Sequence, residues 1–131
     1  MKYVVLLGRI LYSAIFIFSG IGHFSKGAIQ YASSIGVPIA PFLVPLSGVI
    51  AFIGGISILL GYKARYGAWL IVIFLVPVSL TMHRFWAATS PMQAMMEHAM
   101  FMKNLAMIGA ALLIAYFDSG PLSLDKHKAK S

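Results

Sequence analysis

PFLVPLSGVIAFIGGISILLGYKARYGAWLIVIFLVPVSLTMHRF, residues 41–85, decides the architecture. Two apolar runs, 41–60 and 64–85, meet at the short connection Gly61-Tyr62-Lys63-Ala64-Arg65. Crossing a bilayer's hydrocarbon takes about 20 apolar residues. Backbone groups there must bond within their own segment, so each run reads as a transmembrane helix. So short a connection makes the two helices antiparallel neighbours. Pro41 suits a first helical turn, where its missing N–H is not needed. Pro77 removes a hydrogen bond to the carbonyl of Ile73 and should kink the later helix.

Working outward, residues 3–24 and 98–117 supply two further spans. The fold class is therefore an all-α membrane protein, a four-transmembrane-helix bundle with antiparallel up-down neighbours, in one domain over residues 1–131. Residues 25–40 carry Lys26, Gln30, Tyr31, Ser33 and Ser34 and read as a short interfacial helix ending at Gly36. Residues 87–96 form the last loop, with Ser90-Pro91 as a turn or helix start. Asp118-Ser119-Gly120-Pro121 stops the fourth span, and 118–131 reads as a short basic tail. The beginning, Met1-Lys2-Tyr3-Val4-Val5-Leu6-Leu7, resembles a signal peptide, but Arg9 interrupts it and no small-x-small cleavage site follows; the first span reads as uncleaved.

Composition agrees. The chain is 60% hydrophobic and 10% charged, against roughly 45–50% and 25% in soluble domains, so the apolar surplus must face a lipid bilayer. Ten Lys/Arg against three Asp/Glu give a net charge of +7. Nucleic-acid binders cluster such bases on a polar face; here they sit between apolar runs, and no nucleic-acid partner is expected. Lys2, Lys63, Arg65, Lys126, Lys128 and Lys130 fall on one side, and Lys26, Arg84 and Lys103 on the other. The positive-inside rule then places both termini in the cytoplasm of a bacterial inner membrane. There is no cysteine, which excludes thiolate ligands and a dithiol relay. Any redox chemistry would need a cofactor, a metal or a partner protein. Three scattered acids exclude paired-carboxylate hydrolysis.

Ionisable groups inside spans are functional candidates by default. Arg9, Ser13, Phe16, Gly20 and His23 recur in steps of four and three and share one face, read as inward. Arg9 is either a snorkelling anchor or a cation for a partner helix or a quinone-type or anionic ligand. At the other end, His23, His83, Arg84, Gln93, Glu97, His98, Lys103 and Asn104 come to one membrane face, with Glu97, Phe101 and Asn104 on one stripe. Such a cluster can bind a polar head group, relay protons or ligate metal, or simply close the mouth with hydrogen bonds. The candidate ligand- or partner-binding residues are Arg9, His23, His83, Gln93, His98, Lys103 and Asn104; no catalytic residue is assigned.

Seven of the eight methionines lie between Met82 and Met107. Met95, His98 and Met102 share a helical face that could hold Cu(I), although methionine mostly fills irregular packing, so no metal site is assigned. Haem between two histidines is permitted but not demanded by their spacing. Trp69, Trp86, Tyr3, Tyr62, Tyr66 and Tyr116 read as an interfacial aromatic belt. Small residues, Ser47, Ala51 and Gly55 on the second span and Ala106 and Ala110 on the fourth, mark helix-packing strips.

The order of Gly8-Arg9-Ile10-Leu11, Phe18-Ser19-Gly20-Ile21-Gly22-His23, Gly54-Gly55, His83-Arg84-Phe85-Trp86 and Phe101-Met102-Lys103-Asn104-Leu105-Ala106 resembles the DoxX family of small bacterial membrane proteins. The resemblance extends through residues 31–38 and Gly120-Pro121-Leu122-Ser123-Leu124-Asp125. It implies a four-helix inner-membrane protein loosely associated with oxidoreductase systems, because the family takes its name from a subunit of a thiosulfate:quinone oxidoreductase. It matches Arg9, His83, Gln93, Lys103 and Asn104 to the family's recurrent polar residues. Two positions depart: Ala51 stands where members often have Glu, and His23 where they often have Lys. Without that acid, Arg9 and Lys103 lack an obvious partner. The expected role is a non-catalytic or quinone-linked component of a redox or stress-related system. The alternatives are an assembly factor whose small-residue strip packs against a client, or a Met/His copper protein. The oligomeric state stays open.

Overall fold

A computed structural model describes residues 1–126. Its regular structure is wholly helical: α1 (Lys2–Gly22), α2 (Lys26–Ser34), α3 (Ala40–Leu60), α4 (Ala64–Met82), a 3-10 turn (Phe85–Ala87) and α5 (Pro91–Phe117). Four helical stretches, α1, α3, α4 with its 3-10 turn, and α5, are long and apolar enough to cross a membrane. Packing follows the chain: α1 lies on α3, α3 on α4 and α4 on α5, while α2 rests on α3. The main core gathers Phe16, Ala51, Ile58, Ala68, Ile71, Phe74, Leu75 and Ala111. A smaller cluster of Ala32, Ala40 and Val44 ties α2 to the bundle.

Small residues set the closest contact. A Cβ at Gly20 would stand 2.6 Å from the Gly48 carbonyl oxygen, and one at Gly48 would stand 2.6 Å from that of Gly20. The backbones of α1 and α3 therefore touch, as membrane helices do where lipid supplies no hydrophobic drive between them. Farther along, a Cβ on Gly55 would lie 2.9 Å from Ile17, and Ala51 is fully buried. Of the strip Ser47, Ala51 and Gly55, the last two are therefore buried inside the bundle and not free for a client, while Ser47 stays half-buried. The Ala106 end of the other strip is exposed, and α5 buries Asn104, Ala111 and Ala115 instead.

The largest boundary difference from the hydropathy reading is at α5, while α1 and α4 stop two and three residues short of it, at Gly22 and Met82. The last helix begins at Pro91, not near residue 98, because Ser90 caps it by accepting the Gln93 N–H at 3.2 Å and proline suits the first helical position. Polar Gln93 and Glu97 hide this turn from an apolarity criterion. The interfacial helix is present as α2, capped by Ser25, whose hydroxyl accepts the Ala28 N–H at 3.1 Å. Helix α4 runs on through Pro77, and the Thr81 hydroxyl donates to the Pro77 carbonyl at 2.7 Å.

Residues 118–126, read as the start of a tail, fold back over the end of the bundle as a strap. The Arg9 guanidinium donates to the carbonyls of Pro121 and Leu122. The Asp125 N–H donates to the Gly61 carbonyl at 3.0 Å, and its carboxylate accepts the Lys63 N–H at 2.8 Å and the Ser119 hydroxyl at 2.7 Å. The tail bases Lys128 and Lys130 lie outside the described residues.

Candidate functional site

At the end opposite the strap, α1, α4 and α5 part around a cleft of about 200 Å³ lined by Ser19, His23, Phe74, His83, Lys103 and Asn104. Each polar group is positioned by its helix. His23 follows the last residue of α1, and its Nδ1 donates to the Ser19 carbonyl at 2.6 Å. That bond places a proton on Nδ1, so in the neutral ring Nε2 is the acceptor. The ring packs edge-on against Phe74 with 5.4 Å between centroids.

Asn104, only 4% exposed, donates its amide N–H to Ser79 Oγ at 3.1 Å. The Ser79 hydroxyl in turn donates to the Leu75 carbonyl at 2.7 Å. This chain of bonds orients the carboxamide and leaves its oxygen to accept from another donor. His83 ends α4, and its Nδ1 sits 2.8 Å from Glu97 Oε2, a partly buried pair joining α4 to α5. Lys103 is exposed on the cleft wall, its amine 3.4 Å from Met100 Sδ. Beneath the cleft, the Tyr12 hydroxyl donates to the Met107 carbonyl at 2.7 Å and ties α1 to α5.

Of the residues singled out from sequence, the fold brings His23, His83, Lys103 and Asn104 together. It separates the other three. Arg9 lies at the strap end, 5% exposed. Gln93 staples the loop before α5, its side-chain oxygen accepting from the Thr89 N–H at 3.1 Å and hydroxyl at 3.0 Å. His98 is turned onto Phe85, at 4.8 Å, within an aromatic group that includes Trp86 and Phe101. Met95 and Met102 are exposed, and among the described residues no three His, Cys, Asp or Glu side chains converge to hold a metal ion. Sequence reasoning missed Ser79 and Tyr12. Ser79 was within reach, since it precedes His83 by one helical turn on an otherwise apolar helix.

The cleft offers the Lys103 amine, acceptors on His23 and Asn104, and His83, which Glu97 holds from outside the lining. Such a set can hold an oxygen-bearing head group by hydrogen bonds.

The family model named DoxX matches residues 4–84, which takes in α1 to α4. The inner membrane protein YqjF of Escherichia coli is 34% identical over 93% of this chain and 89% of its own length, an alignment long enough to take in most of α5. The inner membrane protein YphA of the same organism is 29% identical over 94% of this chain and 89% of its own length. The ER-derived vesicles protein ERV29 of Saccharomyces cerevisiae is 28% identical over 61% of this chain, which spans 26% of that protein. No solved structure matches the chain.

Proposed function

This chain belongs to the DoxX family, and from that premise we propose that it is a non-catalytic membrane component of a redox system, holding the head group of a quinone-type carrier in the cleft. One observation carries the reading. His23, His83, Lys103 and Asn104 converge on a single cleft within an apolar bundle, where intramembrane polar groups mark ligand paths. The Lys103 amine suits a quinone carbonyl, and the acceptors at His23 Nε2 and the Asn104 oxygen suit the hydroxyls of the reduced form. Without cysteine, the electrons come from a partner protein, and this chain positions the carrier.

The orientation follows from charge. Lys2, Lys63, Arg65 and Lys126 lie at the strap end, and the cleft end carries Lys26, Arg84 and Lys103. The strap end then faces the cytoplasm and the cleft opens near the other surface of an inner membrane. The copper alternative draws less support, because His98 is turned onto Phe85 and away from a shared centre with Met95 and Met102. The assembly-factor alternative draws less support, because α1 covers Gly55 of its small-residue strip and Ala51 is fully buried.

Titration of the detergent-purified protein with decyl-benzoquinone, followed by tryptophan fluorescence, tests the proposal. Wild type should bind saturably, and a Lys103→Leu, Asn104→Leu double variant of unchanged helicity about tenfold or more weaker, since two hydrogen bonds to the head are lost. A wild type that shows no saturation would refute it.

A further inference from the structure

A second cavity, of about 280 Å³, lies under α2. Ala28 and Ala32 of α2, Val44 and Ser47 of α3, and Val78 and Met82 of α4 form its walls. Its lining is more apolar than that of the cleft, which mixes polar groups with Ile15, Phe16, Phe74 and Leu75, and the two share His23, Val78 and Met82. Ligand pockets generally begin at roughly 300 Å³; each space alone is smaller than that, and joined around His23 they reach it.

We propose that this cavity takes the hydrocarbon chain of a single-chain amphipathic lipid whose oxygen-bearing head occupies the polar cleft, with α2 as its roof. The proposal rests on the cleft being a head-group site, but not on the head being a quinone. Three observations converge. The change from polar to apolar lining occurs at His23, whose ring borders both spaces and whose Nε2 is left to accept a hydrogen bond there. The cavity's lining is mostly apolar and gives water few partners, so it gains contacts when hydrocarbon fills the space. Helix α2 is anchored chiefly to α3, through the small residues Ala32, Ala40 and Val44, and so covers the space without occupying it. In a bilayer a chain gains little hydrophobic energy by leaving lipid for protein. The cavity therefore selects by shape, and the head supplies the directional bonds.

Photolabelling decides it. Decyl-benzoquinone and lauric acid, each carrying a diazirine at the chain end, are bound to the full chain in detergent, irradiated, and the adducts mapped by peptide mass spectrometry. Both probes should label α2 around Ala28 and Ala32 and α3 around Ser47, and unlabelled probe should compete. Ala28→Phe and Ser47→Leu fill the space from opposite walls, and each should reduce those adducts about tenfold, because a packed interior cannot admit both side chain and ligand. Cavity labelling by lauric acid alone would keep the chain site and overturn the quinone head. Adducts of both probes spread over lipid-facing residues such as Phe18 and Leu113, or unchanged by both fillings, would overturn the chain site. The wild-type map is decisive even if a filled variant does not fold.

Discussion

Arg9 sits where two opposing costs meet. Its guanidinium satisfies the carbonyls of Pro121 and Leu122, yet its Nε and Nη1 are buried without a hydrogen-bond partner among the described residues. Nη1 lies over Gly61, where any side chain would overlap it, and Gly61 also adopts the left-handed conformation at φ 65°. Bonds to charged donors contribute about 1.5–3 kcal/mol each, and the orphaned nitrogens oppose a similar amount, so the net contribution to global stability is small. The larger effect is local. Arg9→Leu should lower overall stability by only about 1 kcal/mol, while amide exchange at Asp125, whose N–H is bonded to Gly61, speeds up markedly and exchange in the core of α4 does not change. Hydrogen exchange by mass spectrometry checks this, and an unchanged rate at Asp125 would show that Arg9 does not hold the strap. The inward face of Arg9, Ser13, Phe16 and Gly20 was legible from spacing alone, and all four are buried. The partner of Arg9 was not, because backbone carbonyls more than a hundred residues away leave no side-chain signature.

Among the helices, the contact of α1 with α3 controls the cleft, because the residue that a Gly48 side chain would strike besides Gly20 is His23, whose Cβ is 2.7 Å from that position. Gly48→Ala should therefore destabilise the protein by about 1–3 kcal/mol through overpacking and also displace His23. Gly8→Ala meets nothing within 4 Å and should be neutral or stabilise by up to about 1 kcal/mol through helix propensity. Denaturant unfolding in detergent distinguishes the two; equal effects would mean that the close approach of α1 and α3 does not exist in solution. Helix existence was readable from apolar run length, and the α3–α4 turn from its brevity. The first turns of α5 were not readable from hydropathy, and Ser90-Pro91 left a turn and a helix start as alternatives until the Ser90 cap decided between them. The small-residue strip was recognised by type, but residue type alone does not say which helix covers it.

Across the whole molecule, the apolar surplus and the charge asymmetry revealed a membrane bundle before any coordinates. Neither shows that α3 stands between α1 and α4, and that arrangement creates both cavities around His23. Four of the seven sequence-nominated polar residues entered the cleft, His23 and His83 from the ends of α1 and α4, and Lys103 and Asn104 from the middle of α5. Gln93 and His98 did not, since α5 starts early enough to carry them past the packed part of the bundle, onto the loop and the Phe85 aromatic group. On our proposal the molecule binds and orients an amphipathic ligand for chemistry performed by a partner. The most direct test is to purify the unmodified chain in mild detergent from its native membrane and extract its lipids. A quinone retained above the detergent blank, near one per chain, and lost from the Lys103→Leu, Asn104→Leu variant is the predicted result. No quinone above the blank, or the same amount in both proteins, would contradict it.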